Sequence, residues 1–440
     1  KEIGFTLLEI VKGLPLQFSV DAAGMIFACV ASTLWIVTSC YSIGYMRGHG
    51  EKNQTGYYSA FAMCLTATMG LCFSANLLTF FIFFEVLTVA TYPLVVHYRD
   101  EEGTRSGRKY LAYTLISGQL FFAGIVILYS FTGRMDFVPG GFVNTGDIPM
   151  PWMLAVFILM IGAGIVKAGV MPLHSWLPAA MVAPTPVSAL LHAVAVVKAG
   201  AFCTLRVVLY VFGPEAARFC HGSEILAWMA VATILISSLI AIRKDNLKAR
   251  LAFSTVGQLS YIILGIAILS PFAATGALYH IVAHAFMKIT LFMCAGAIFV
   301  TTHRKNISEM IGIGRQMPVT MTCFTLASLA VAGFPFFVGF TSKANIIMGA
   351  ISMGQPFFVA TLIVSALLAL TYLMPVVLLA FKRDFYNSQF PVKKEANLPM
   401  LIPIMITAAC SLILGVMPNF GLHLYDLAAM AGNAIFGLSL

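Results

Sequence analysis

Charged side chains are what this sequence has least of: only 10% of its 440 residues are Asp, Glu, Lys or Arg, against about 25% in soluble domains. With 60% hydrophobic residues and a mean hydropathy of +0.92, a water-soluble fold is excluded. The nine cysteines are scattered, mostly inside apolar runs, and no two are spaced C-x-x-C. No iron–sulfur cluster, structural zinc, other metal site or disulfide framework is therefore expected. Basic residues outnumber acidic ones, 26 to 17, yet most lie in short segments between apolar runs, which speaks for membrane topology and against nucleic acid. The first residue is Lys1, and no charged leader precedes the first long apolar run. The expectation is a sequence that begins inside a longer protein.

What is there is a succession of apolar stretches long enough to cross a bilayer. They run at about 22-46, 57-76, 77-97, 110-131, 152-180, 187-212, 225-243, 251-269, 273-300, 318-352, 356-381 and 399-417. This predicts an all-α integral membrane protein with about twelve transmembrane helices. The fifth and tenth stretches are too long for one plain helix and carry breakers, Pro172 and Pro178 in the one, Gly333, Pro335 and Gly339 in the other. Each is expected to be a discontinuous helix. The apolar tail from Leu422 carries His423 and Asp426 near its start, so it is expected to lie along the bundle or the interface.

Assigning the loops alternately to two sides places seventeen Lys and Arg on one, from Arg47 and Lys52 through Arg383 and Lys393 to Lys394, and four on the other, Lys1, Lys12, Arg134 and Arg218. The rule that cytoplasmic loops collect positive charge then puts both ends of the chain on the non-cytoplasmic side. With the first and last spans set aside, the two broken helices fall fourth in each group of five. That pattern predicts two inverted five-helix repeats, 57-212 and 225-381, after a lead segment with the first helix (1-56) and before a C-terminal helix with its tail (382-440).

Ionised groups inside a bilayer cost at least about 2.5–3.5 kcal/mol each, so those present are informative. They are Glu85, Lys167, Lys198, Lys288 and Lys343, with His174, His192, His280 and His284. Glu85 is the only acid within a span and needs a partner; a lysine on a neighbouring helix would serve both. His280, His284 and Lys288 recur every four residues, which stacks them on one helix face about 6 Å apart. Histidine and a desolvated lysine both exchange protons near neutral pH, so the ladder reads as a proton path. Arg206 lies nearer a span end and is expected to snorkel. For His174, beside Pro172 in the break, satisfying freed backbone groups is as good an account as proton handling. His280 and His284 could instead ligate heme, but no facing histidine pair is evident and Lys288 continues the row with a non-ligand.

These residues also carry a family likeness. The run Lys167 to Ala180, KAGVMPLHSWLPAA, continuing through Ala183 to His192 and on to Lys198-Ala199-Gly200, resembles the signature of the antiporter-like membrane subunits. That family comprises the proton-pumping subunits of respiratory complex I, the large subunits of Mrp-type Na+/H+ antiporters and related hydrogenase subunits. Leu251 to Tyr261, the ladder ending in Lys288, and Gly333-Phe334-Pro335 followed by Gly339 and Lys343 extend the likeness over nearly the whole chain. The resemblance implies that Glu85 pairs with the broken-helix lysine, Lys167, and that Lys198 is the next relay group. It further makes His280 and His284 the central histidines and Lys343 the second broken-helix residue. Lysine there, where some members have glutamate, makes the chain more similar to the D-type large subunit of the Mrp antiporters or to the distal pump subunit of complex I. The family usually has fourteen helices, and two more would fit before residue 22.

The function expected is a proton-translocating subunit of a larger membrane assembly, relaying protons along Glu85, Lys167, Lys198, His280, His284 and Lys343, with His174, His192 and Lys288 as secondary groups. No redox or hydrolytic site of its own is visible, and no cofactor is expected. Partners are other membrane subunits, lipid and protons, with Na+ as the candidate counter-ion, in a bacterial or archaeal inner membrane. The alternative is a membrane redox subunit holding heme or quinone. A passive scaffold is the third reading, and it requires that neutral replacements of the buried lysines leave transport intact.

Overall fold

The structure, a computed structural model, describes residues 3–11, 13–382 and 394–438, without the side chains of Ile10, Val11, Leu191 and His192. Lys1, Lys12, Arg383 and Lys393, counted above for topology, lie outside it. The chain opens with an antiparallel hairpin, β1 (Gly4–Val11) and β2 (Leu14–Ser19). This is an addition to the helical architecture expected from the sequence. Its physical signal is a pair of short apolar, β-branched and aromatic runs on either side of Gly13, masked by the much longer apolar stretches that follow. Gln17 N donates to Thr79 Oγ1 at 3.0 Å, which ties the hairpin to the bundle.

Helices then follow one another: α1 (Ala22–Gly48), α2 (Gln54–Cys72), α3 (Leu77–Val95), α4 (Glu101–Thr132) and α5 (Met150–Ala168). Asp21, Asn76 and Asp100 cap α1, α3 and α4 by accepting from backbone amides at 2.7–2.8 Å, and Glu101 and Glu102 suit the positive end of α4. After α5 come α6 (Trp176–Ala179) with a short 3₁₀ turn, α7 (Thr185–Ala193), α8 (Val196–Leu205), a π-helical stretch Arg206–Phe212 and α9 (Gly213–Phe219). The second half contains α10 (Gly222–Arg243), α11 (Leu247–Ala267), α12 (Pro271–Thr302), α13 (Ile313–Gln316), α14 (Pro318–Ala332), α15 (Val338–Ser352) and α16 (Pro356–Phe381). Last come α17 (Leu398–Val416) and α18 (Leu424–Ile435).

Among the described residues, ten helical segments are long and apolar enough to cross a membrane. The remaining two expected spans are α2, which has 19 residues but more polar ones, and the pair α14–α15, two 15-residue halves. Both breaks fall where the sequence places them. Helix α5 stops at Gly169 and α14 at Gly333, each in the left-handed region at φ 72° and 85°, where a side chain would be strained. The expected span 187-212 is subdivided: α7 and α8 meet at a kink at Val194 and Ala195, and α8 passes into the π stretch.

Helix α12 is the axis. Every residue from Ala273 to Ile298 is buried, because α1, α7, α11, α14, α15, α17 and α18 surround it. The outer helices instead expose apolar side chains, such as Ile116 on α4 and Leu367 and Leu378 on α16. In a bilayer that surface faces lipid, while the polar side chains gather inside. Helix α18 packs along α12 and α1, as expected of the tail.

Candidate functional site

The ladder on α12 is fully buried, with His280, His284 and Lys288 all at 0% exposure. The rings of His280 and His284 are 6.3 Å apart, the spacing that one helical turn imposes. What the sequence could not show is what each rung meets. Lys198 of α8 places Nζ 2.8 Å from His284 Nδ1 and donates to the Ile281 carbonyl at 2.9 Å. His280 Nδ1 lies 2.8 Å from Ser342 Oγ, and its ring stacks on Tyr261 with centroids 5.6 Å apart. Ser342 immediately precedes Lys343, whose ammonium sits 4.7 Å above the same Tyr261 ring and donates to the Val331 carbonyl at 2.5 Å. Lys198, His284, His280, Ser342 and Lys343 thus lie in one row on α8, α12 and α15, with the Tyr261 ring of α11 between His280 and Lys343.

Lys288 forms a branch. It donates to Ser254 Oγ at 2.5 Å and to the Leu251 carbonyl at 3.4 Å, and Ser254 in turn lies 2.9 Å from the Tyr372 hydroxyl. Sequence reasoning misses Ser342, Tyr261, Ser254 and Tyr372 as members of this network. Hydroxyl side chains are common in membrane helices; Ser342 offers a sequence signal as the neighbour of a buried lysine, and Ser254 and Tyr261 lie in the Leu251 to Tyr261 run without being marked there as members of the site.

At the other end, Lys167 is at 0% exposure and donates to the Phe84 carbonyl at 2.6 Å, its ammonium 3.3 Å above the Phe84 ring. Glu85 is the next residue, but no ion pair within 4 Å joins it to Lys167. Its Oε1 is buried without a protein hydrogen bond. It presses on Gly118 of α4, where a Cβ would collide with the carboxylate, so the absent side chain makes room for the acid. Lys167 and Lys198 share no hydrogen bond either, although α5 and α8 pack closely. His174 lies in the break with its ring 5.9 Å from Phe253 and Nδ1 buried without a partner, apart from the row. His192 falls on α7 but its side chain lies outside the described residues. Buried polar atoms left open in this way, with Gln258 Oε1 and His280 Nε2, are ordinarily satisfied by ordered water, which also conducts protons between fixed groups.

Arg206 corrects the expectation that it snorkels. It is 2% exposed and turns inward, holding both oxygens of Asp21 in a two-pronged ion pair, with its guanidinium 4.5–5.0 Å from the Phe137, Phe202 and Tyr210 rings. A partner at the start of α1 and three aromatic faces satisfy the charge internally, so reaching for the interface gains nothing.

Residues 74–369 match the family described as NADH:quinone oxidoreductase/Mrp antiporter, TM. The chain belongs to this family. Among its relatives is NADH-quinone oxidoreductase subunit N of Desulforudis audaxviator, 30% identical over 387 residues, covering 85% of this chain and 77% of that protein. An Na(+)/H(+) antiporter subunit of Alkalihalophilus pseudofirmus is 30% identical over 441 residues; the chain, 93% of it covered, spans only 54% of that relative. In three dimensions the chain matches one in the structure of the Mrp complex from Dietzia sp. DQ12-45-1b, with a TM-score of 0.86 at 20% identity, covering 99% of this chain and 87% of the other. The protein is an antiporter-like integral membrane subunit with the fold the family resemblance implied.

Proposed function

We propose that this chain is a proton-translocating subunit of a multisubunit membrane complex, and that protons pass laterally along Glu85, Lys167, Lys198, His284, His280 and Lys343. The observation that carries the reading is the row from Lys198 through His284 and His280 to Ser342, with Lys343 over the same Tyr261 ring, buried throughout in the centre of the bundle. Four buried lysines on different helices are a poor way to stabilise a membrane fold. They are a good way to hold and release protons, since interaction between charges in a low dielectric is worth kilocalories. A proton arriving on Lys167 strengthens its attraction to Glu85; one arriving on Lys198 repels positive charge on His284 and onward to Lys343. The spans beyond Lys343, 356-381 and 399-417, contain no acidic, basic or histidine residue, so the route leaves the membrane there, beside the unwound break.

The face rich in Lys and Arg is the cytoplasmic one in this reading, in the inner membrane of a bacterial or archaeal cell, with both chain ends opposite. Two placements support this. The hairpin joins the segment after α4 through β2 and Ala75, and the Ile435 carbonyl of α18 lies against Gly140 of the same segment. The two broken helices also support the two inverted repeats, 57-212 and 225-381. Energy comes from a partner subunit's redox chemistry or from an opposing ion gradient, Na+ being the ion in the name of the Alkalihalophilus relative.

The test is acidification of sealed vesicles carrying the assembled complex, followed with a pH-sensitive dye. Lys198→Ala should lower the rate by roughly a hundredfold or more while the subunit still co-purifies with its partners. Wild-type acidification by that variant would reduce the row to packing.

A further inference from the structure

A second titratable cluster lies away from the row, at the basic end of the bundle. Glu51, in the turn between α1 and α2, has a side chain only 8% exposed on a face otherwise dominated by cations. Tyr98 OH donates to its Oε1 at 2.8 Å. His49 Nε2 lies 3.7 Å from the same oxygen, and His97 Nε2 lies 3.6 Å from Oε2. The His97 side chain is 5% exposed and that of His49 30%, so a buried imidazole and an accessible one flank a single carboxylate.

The cluster borders a cavity of about 760 Å³ lined in part by His49, Tyr98 and Tyr45. The floor of this cavity includes Ala183, Thr185 and Ala295, the last lying on α12 about two turns beyond Lys288. Thr185 Oγ1 donates to the Tyr45 hydroxyl at 3.5 Å. Thr185 opens α7, which packs on both α12 and α8, and Ala295 and Phe299 bring the wall of the cavity to α12, the helix that carries the histidines.

The surrounding charges make such a cluster useful. The cavity is lined by the bases Arg105, Lys109, Lys248, Arg304 and Lys305 against the acids Asp100 and Glu102, and Asp100 is already engaged in capping α4. A mouth of that sign repels free protons and lowers their local concentration. We propose that His49, Glu51, His97 and Tyr98 form a proton-collecting site that takes protons from the solution at the basic face and delivers them into this cavity. The inference rests on the relay reading above. His49, the exposed member, accepts a proton from water or buffer, and the Glu51 carboxylate stabilises the imidazolium until the proton moves on. The other groups facing the cluster are Arg99, which opposes a second positive charge on His97, and the phenols of Tyr45 and Tyr57. Burial holds the His97 imidazole below its ordinary value while Glu51 pulls it back up, as suits a group that releases what it takes.

The test is the rate of proton translocation by the intact complex in sealed vesicles with the basic face outward, at two external pH values and in weak or strong buffer. Glu51→Gln should lower the rate about fivefold at about pH 8.5 in weak buffer, where protons are scarce, and less than twofold at about pH 6.5. Added imidazole, a mobile proton donor, should restore the rate at the higher pH. His97→Gln should show the same pattern more weakly. Unchanged rates at the higher pH would overturn the proposal. So would a loss equal at both pH values and untouched by imidazole, or failure of both variants to assemble, since each marks a structural tie between loops. Lys198→Ala, measured alongside, separates the two readings: it should be inactive at either pH with or without imidazole, and full activity there would defeat the relay itself and the collecting site with it.

Discussion

The two broken helices solve one problem with different neighbours. Each sets a lysine near its break and over an aromatic ring of another helix, Lys167 above Phe84 of α3 and Lys343 above Tyr261 of α11. Lys343 then joins the histidines through Ser342, and the residue after its ring is Ile262. Lys167 joins no histidine, and the residue after its ring is Glu85. One break is wired into the row of protonatable groups, whereas the other has a carboxylate and a gap. Under the proposed relay the two breaks would do different work: Lys343 lies beside the histidines of α12, whereas Glu85 and Lys167 lie near one another without a direct bond and would control whether Lys198 is supplied.

This contrast can be broken most strongly at Lys343. Replacement by leucine should lower vesicle acidification by roughly a hundredfold, whereas Lys343→Glu, which can still take and give a proton, should stay within about tenfold of wild type. Equal rates for the leucine and lysine forms would move the exit elsewhere. In the first half, Glu85→Gln should cost about tenfold in rate with assembly intact, and Lys167→Ala should match it. Adding the two changes together should cost little more than either alone, because groups that act as a unit are not additive. Fully multiplicative losses would show that the acid and the lysine work separately.

The smallest effect is expected outside both breaks. Asp245, between α10 and α11, accepts from the Ser308 amide at 3.0 Å and its hydroxyl at 2.8 Å, and these bonds hold its carboxyl below the usual carboxylate range. A lowered folded value means that the stabilisation is complete above roughly pH 3.9, the unfolded value, and is lost as the pH falls through the folded one. Asp245→Asn should therefore lower the unfolding temperature by only about 1–2 °C at neutral pH and leave transport unchanged. A transport defect in that variant would tie this loop to the mechanism.

Much of the fold is legible in the order of the amino acids. Apolar length marks the spans, and Pro172 and Pro178 in one stretch and Gly333, Pro335 and Gly339 in the other mark the breaks, because backbone chemistry acts locally. The ladder is equally legible, since a spacing of four residues puts side chains on one face whatever surrounds them. Partnership is not legible. Arg206 reads as a snorkelling residue because its acid, Asp21, stands at the start of α1, 185 residues away. Ser342 and Tyr261 escape notice because a serine and a tyrosine in an apolar helix are ordinary until another helix brings His280 against them. The pairing of Glu85 with Lys167 comes from family likeness, and the side chains here are neighbours without a direct bond.

If protons cross from Lys198 and His284 to Lys343 through His280, a complex carrying His280→Phe should all but fail to acidify sealed vesicles. Phenylalanine keeps an aromatic ring, a somewhat larger one, to stack on Tyr261 but cannot bind a proton or bond to Ser342. The complex should assemble normally while its acidification rate falls by roughly a hundredfold, with His280→Gln no better. Acidification by the phenylalanine form at the wild-type rate would contradict this route.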